Sequence, residues 1–285
     1  MGTVAQVALV EVRRDEPLAR LVTIRVGGPA DALCVCASFR QVTAALALAR
    51  DEGLPVAVVG RGSNLLVADE GFRGMVVRLA GRLSAISVRS GGMLLCGGGA
   101  SLPRAVQRAA AAGLEGLEFG ASIPGSVGGA VAMNAGAYGG DLSQVLAWAV
   151  VCDAEGRRRV GPGELDMTYR HTALRGHEIV AAAAFRLREG GDPAAIAGRL
   201  DELRRHRRAT QPQGVRTFGS VFTNPPGDSA GRLLEAAGCK GMAIGGARVS
   251  PVHANFIEAA PGCRTADVLA LMAEGRRRVH AAGGP

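Results

Sequence analysis

The chain has 285 residues, 48% of them hydrophobic and 20% charged, a globular composition that excludes global disorder and gives apolar volume for one large or two to three small domains. No apolar run approaches the roughly 18 residues of a membrane span, and the N-terminus, with Glu11, Asp15 and Glu16 among its basic residues, lacks the apolar core of a secretory signal, so a cytoplasmic protein is expected. The net charge of +8 is carried by arginine, Lys240 being the only lysine, and guanidinium forks favour phosphates and carboxylates, although a solvated arginine surface gives the same charge.

In chain order, Ala32 to Ala37 reads as a strand, and Ser38 with Gln41 forms a capping box for an apolar-periodic helix running towards Gly53. Pro55 to Val59 reads as a second strand, a βαβ-like opening that runs into Gly60-Arg61-Gly62-Ser63-Asn64. Further strands are predicted at Leu65 to Val67, Met75 to Leu79, Leu83 to Arg89 and Met93 to Cys96, and a helix from the Ser101 cap to Gly113. From Gly116 to Gly140 the chain is glycine-rich and almost uncharged, and strands resume at Ala147 to Asp153 and Glu178 to Leu187. Asp192 caps an Arg-rich helix that starts at Pro193 and sets Asp201 four residues before Arg205. Two more capped helices open at Asp228 or Ser229 and at Thr265. The six cysteines show neither C-x-x-C nor zinc spacing, so reduced, mostly buried thiols are expected and no metal site.

Two segments carry the chemistry. Gly60-Arg61-Gly62-Ser63-Asn64 follows an apolar strand, and its glycines expose backbone N–H groups able to wrap a diphosphate. It is similar to a dinucleotide fingerprint, but Leu65 stands where the third glycine belongs and no helix follows, so the Rossmann reading fails; a plain strand-to-strand turn is the alternative. The second runs from Gly120 through Ser122, Ile123, Pro124, Gly125, Ser126, Gly128, Gly129 and Ala130, followed by Asn134-Ala135-Gly136-Ala137-Tyr138-Gly139. Such small residues let a flat or phosphorylated ligand approach the backbone, or pack a helix closely on a sheet. Two cradles suit a dinucleotide.

Taken with Thr23 to Ala30, Tyr169-Arg170, Phe218 to Pro225 and Val252 to Ile257, these segments make the sequence resemble the UDP-N-acetylenolpyruvoylglucosamine reductases, flavoenzymes of peptidoglycan synthesis. The resemblance runs from about Thr23 to Ile257 and matches the shorter, second type, because only about fifty residues separate Arg170 from Ser220. It implies an α+β fold, with a two-part FAD-binding region of the vanillyl-alcohol-oxidase type over residues 1–190, divided near residue 74, and a C-terminal α+β substrate-binding domain over 191–285.

The resemblance further implies non-covalent FAD held by Gly60, Arg61, Gly62, Ser63, Asn64, Leu65 and the second segment, with NADPH as hydride donor and a UDP-sugar enolpyruvyl ether as substrate. Arg170 matches the arginine that holds the enolpyruvyl carboxylate, and Ser220 the donor that protonates the enol carbon after hydride arrives. Tyr138, Asn224, Lys240, His253 and Asn255 match positions that line or support the substrate pocket. A monomer is expected. Two features depart from the family: Thr223 stands where lysine is frequent, and the glutamate of a C-terminal Glu-Val-Arg segment has no match, which a chain truncated relative to its ancestor explains, or replacement by Glu258, a residue at a strand's end where exposed carboxylates are ordinary. The alternatives are another FAD oxidoreductase of the same flavin-binding class and, more remotely, a basic nucleic-acid binder, which one Trp and two Tyr disfavour.

Overall fold

The computed structural model describes residues 9–285, which gather into two compact units that alternate along the chain. The first comprises residues 9–16, Ala30–Arg61 and Arg73–Arg205; the second comprises Pro17–Pro29, Gly62–Phe72 and His206–Pro285.

In the first unit, strands β1 (Val12–Pro17), β2 (Pro29–Cys36), β3 (Val56–Val58) and β4 (Phe72–Leu79) form a sheet in the order β1-β2-β4-β3. Helix α1 (Phe39–Asp51) crosses from β2 to β3, which lies parallel to β4 with Val56 opposite Met75. Ser38 Oγ accepts the Gln41 N–H, and Gln41 Oε1 accepts the Ala37 N–H, so both capping residues work as expected. The buried face of α1 is built from Val42, Ala45 and Ala49 against Cys34, Met75 and Val77. Small side chains bring helix and sheet together without aromatic filling.

The second sheet of this unit is antiparallel. It contains β5 (Ile86–Arg89) and β6 (Met93–Gly97) and, after a short ribbon of β7 (Gly136–Ala137) and β8 (Gly140–Asp141), strands β9 (Leu146–Cys152), β10 (Arg157–Val160) and β11 (Ile179–Arg186), in the order β10-β9-β11-β6-β5. The alanine run of β11 is buried almost throughout, and α2 (Leu102–Ala110) and α3 (Val127–Ala132) share the apolar cluster of Leu94, Val106, Val127 and Phe185.

Three local expectations are corrected. Leu83 opens no strand; Gly81–Ser84 is a 3-10 turn and the strand begins at Ile86. Leu65 to Val67 forms no strand either, because its neighbourhood is tied by the Gly28 N–H to Ala68 O and by Thr265 Oγ1 to Val67 O instead of by a ladder. The third is Asp201, which pairs with Arg204, one position before Arg205. The glycine-rich stretch also contains α3, a helix that composition hid.

Helix α4 (Pro193–Thr210) opens under Asp192, whose carboxylate accepts the Ala194 and Ala195 N–H groups, and buries Ile196 and Leu200 in the first unit's core. In the second unit a sheet of β12 (Ala243–Ile244), β13 (Ala247–Val249) and β14 (Ile257–Ala259) packs with α5 (Ala230–Ala236) and α6 (Thr265–Ala281) around Leu234, Val249, Ile257, Val268 and Leu271. Val22, Ile24 and Val26 join the same core, so the compact units differ from a linear division at residues 190/191. Five cysteines are buried, and burial raises the Cys36 and Cys96 thiols to about 12, so these remain protonated at neutral pH.

Candidate active site

Gly60 follows β3, and a Cβ there would collide with Ser126 Oγ and lie 2.9 Å from Ser126 Cβ. The two glycine segments therefore meet at this residue pair, and only glycine permits it. Gly62 is in the left-handed region, φ +64°, with Val22 Cα 2.6 Å from where its Cβ would stand. Among the described residues, none of the N–H groups from Gly60 to Asn64 donates to another residue. A row of uncommitted donors on glycine backbone fits the diphosphate of FAD.

The second segment divides its labour. Gly129 is exposed, and a Cβ added at Gly125 would meet nothing within 4 Å, so these two leave room for a ligand beside the chain. Gly128 is a packing glycine: a Cβ would lie 2.5 Å from Val180 O and 3.0 Å from Gly98 O, and its N–H donates to Gly98 O at 2.7 Å. Ser126 caps α3 by accepting the Gly129 N–H. Ser122 and Ala130 are buried, Ile123 packs on the core, and Pro124 is exposed. Leu65 likewise packs against the second unit's core.

Within the first unit, Arg170 occupies the turn Thr168–His171, closed by a bridge between its ends, with φ +58°. Its Nη2 donates to Gly136 O at 2.7 Å, and its guanidinium carbon lies 5.0 Å from the Tyr169 ring centre. Asn134 (φ +36°) and Tyr138 (φ +54°) flank the same carbonyl. Three of the six non-glycine residues with positive φ among the described residues thus gather here, and strain of about 1–3 kcal/mol per residue persists where the surroundings fix the backbone. Tyr138 is 44% exposed, with its hydroxyl 3.5 Å from Leu203 O. The buried side chains of Asn134 and Thr172 were not singled out from the sequence.

Within the second unit, Ser220 is exposed and bridges to Phe256 in antiparallel fashion. Gly219, φ +83°, lies against the end of the first cradle, since its Cβ would sit 3.2 Å from Ser63 O. Asn255 is 4% exposed and spends both ends of its amide on Phe222: Nδ2 donates to the carbonyl and Oδ1 accepts the N–H, each at 2.8 Å. His253 Nδ1 accepts the Asn255 N–H at 3.1 Å, and its ring meets Phe256 edge-on at 5.0 Å. Burial lowers the His253 pKa, and the charge of Lys240 lowers it further. Asn224 Oδ1 accepts the Ala230 N–H at the start of α5. Lys240 Nζ pairs with Glu235 at 2.7 Å. Glu258 is the central residue of β14, 8% exposed, and accepts from Arg248 opposite at 2.7 Å; the expected exposed carboxylate at a strand's end is corrected to a buried one that is already paired.

Comparison with known proteins matches residues 30–160 to an FAD binding domain and residues 211–284 to the C-terminal domain of UDP-N-acetylenolpyruvoylglucosamine reductase. The chain is 47% identical over 270 residues to UDP-N-acetylenolpyruvoylglucosamine reductase 2 of Symbiobacterium thermophilum, covering 94% of this chain and 87% of that protein. It is 46% identical to the Heliobacterium modesticaldum reductase, over 95% of this chain and 87% of the relative. The crystal structure of the Thermus caldophilus enzyme superposes with a TM-score of 0.82 at 37% identity, covering 94% of each chain. The fold is accordingly the α+β one, with an FAD-binding region followed by a C-terminal domain. Likeness of this extent, carried on a backbone whose glycine loops fit a flavin diphosphate, places the chain in the UDP-N-acetylenolpyruvoylglucosamine reductase family.

Proposed function

We propose that the chain reduces the enolpyruvyl ether of UDP-N-acetylglucosamine to UDP-N-acetylmuramate, with NADPH as the source of hydride, in peptidoglycan precursor synthesis. The observation that carries the reading is Arg170, held in a left-handed turn with its guanidinium donating to the Gly136 carbonyl, in the stretch that follows the second glycine segment. When bound, FAD supplies hydride transfer between NADPH and the double bond, and the glycine backbone at Gly60–Asn64 and Gly125–Gly129 would hold it.

The reduction adds hydride to the terminal carbon of the enolpyruvyl group and leaves negative charge on the adjacent carbon and its carboxylate. Arg170 meets that charge with a fixed fork of donors, an interaction stronger in the transition state than in the ground state. Ser220 Oγ–H gives its proton to the carbon next to the carboxylate, and solvent returns a proton to the oxygen. A serine at the end of the first cradle suits this role, because Gly219 puts the chain against the Ser63 carbonyl.

Lys240 would exchange Glu235 for a substrate phosphate, and Tyr138 and Asn224 would contact the substrate. Asn255 and His253 act as supports of the Ser220 segment, since their polar atoms are engaged with backbone. No described helix is long and apolar enough to cross a membrane, and a cytoplasmic, monomeric enzyme completes the proposal.

The test is anaerobic. NADPH should bleach the yellow protein and the enolpyruvyl substrate should restore the colour; bleaching with no reoxidation by that substrate would sink the reading. Ser220→Ala should keep a near-native bleaching rate while reoxidation slows by about 10²- to 10⁴-fold. Equal losses in both halves would reassign Ser220 to the flavin or to the pocket's shape.

A further inference from the structure

Helix α3 ends on a left-handed residue, Asn134, which follows the Met133 cap with φ +36°. Its N–H donates to Val131 O and the next N–H to Ala130 O, closing the helix. Glycine is the usual occupant of such a position because it carries no Cβ; asparagine tolerates it at modest cost. Closure of the helix uses only backbone, so the choice of asparagine has to come from its side chain.

The Asn134 amide is 2% exposed, and both ends are engaged at a distance in sequence. Nδ2 donates to Thr168 O at 3.0 Å, and Oδ1 accepts the Ser143 N–H at 3.0 Å. Thr168 is the first residue of the turn that carries Arg170, and Thr172, just beyond that turn, donates from Oγ1 to Ala132 O at 2.7 Å. The turn is thus strapped at both ends to the C-terminal end of α3. Arg170 then reaches back to Gly136 O, two residues beyond Asn134.

We propose that Asn134 is the positioning residue for Arg170: its amide fixes the turn that aims the guanidinium at the anionic end of the substrate. This rests on the reading of Arg170 given above. A buried amide satisfied on both sides holds one geometry, because releasing either partner would leave a buried polar group unpaired.

The experiment is a double-mutant cycle on the flavin-loaded protein, read by calorimetric binding of the enolpyruvyl substrate to the oxidised form, without turnover. Asn134→Gly keeps the left-handed backbone and removes both side-chain bonds, whereas Asn134→Asp retains the Ser143 bond and loses the donor to Thr168. Bound FAD per chain reports folding, and Asn134→Asp carries the test where Asn134→Gly loses its flavin. Each should weaken substrate binding about ten- to hundredfold beside native Arg170, and by less than about twofold when Arg170→Ala is also present. Equal weakening in both backgrounds would overturn the proposal, showing that Asn134 acts independently of the guanidinium. Unchanged binding in Arg170→Ala alone would instead remove the reading of Arg170 on which the proposal stands.

Discussion

At Gly60 the missing side chain is the functional feature. Because a Cβ there would collide with Ser126 Oγ, Gly60→Ala forces the two glycine segments apart, at the 1–3 kcal/mol scale typical of overpacking. FAD retention should fall at least about tenfold, and Ser126→Gly in the same chain should restore part of it by removing the colliding atoms. An unchanged flavin content in Gly60→Ala would show that the cradle does not depend on this contact. His253 gives a pH signature. Its ring is held neutral by burial and by Lys240, with its own backbone and Glu235 acting weakly the other way. The unfolded chain therefore binds the proton more readily, and stability should fall as the pH drops through the ordinary histidine value of roughly 6.5. Protonation would also cost Nδ1 its bond from the Asn255 N–H. The melting temperature should drop more steeply between about pH 7.5 and about pH 5.5 than in His253→Asn; parallel curves would contradict this.

Among elements, the segment after the first cradle is moored by Asp69. Its carboxylate accepts the Thr265 and Ala266 N–H groups at 2.8 and 3.0 Å, at the start of α6. Burial alone would raise the Asp69 pKa, but those two bonds and the Arg264 guanidinium hold it below the ordinary value. Its contribution is therefore present above the ordinary carboxylate range and lost as the pH falls through it. Asp69→Ala should cost about 1 kcal/mol by chemical denaturation at neutral pH, a typical loss for a helix-start carboxylate, and should cost little in acid; equal losses at both pH values would argue against the mooring. Much of this element structure was legible. Ser38, Asp192 and Ser229 announce their helices because each side chain accepts a bond from a first-turn N–H. The Leu65–Val67 strand was misread because an apolar triplet cannot reveal that the Val67 carbonyl is claimed by Thr265, 198 residues away, and that of the next residue, Ala68, by Gly28. Helix α3 was hidden because two of its six residues are glycines, of which Gly128 serves close packing on Val180 and Gly98 against its helix propensity. Arg170 and Ser220 are proposed from family motifs alone, and nothing local in the sequence distinguishes them from surface residues. The amides of Asn134 and Asn255 act through long-range backbone partners that no short window contains.

At the scale of the whole molecule, Arg170 belongs to the first compact unit and Ser220 to the second. Composition sets the scale of neither. The family is a reductase by its own name, so the fate of the electrons is the decisive quantity. It is measured by following NADPH oxidation with a limiting amount of the enolpyruvyl UDP-sugar and weighing the product. One NADPH should disappear per molecule of substrate, and the product should be heavier by the two hydrogens added across the double bond. NADPH consumption that continues without substrate, yields hydrogen peroxide and leaves the UDP-sugar at its original mass would contradict the account.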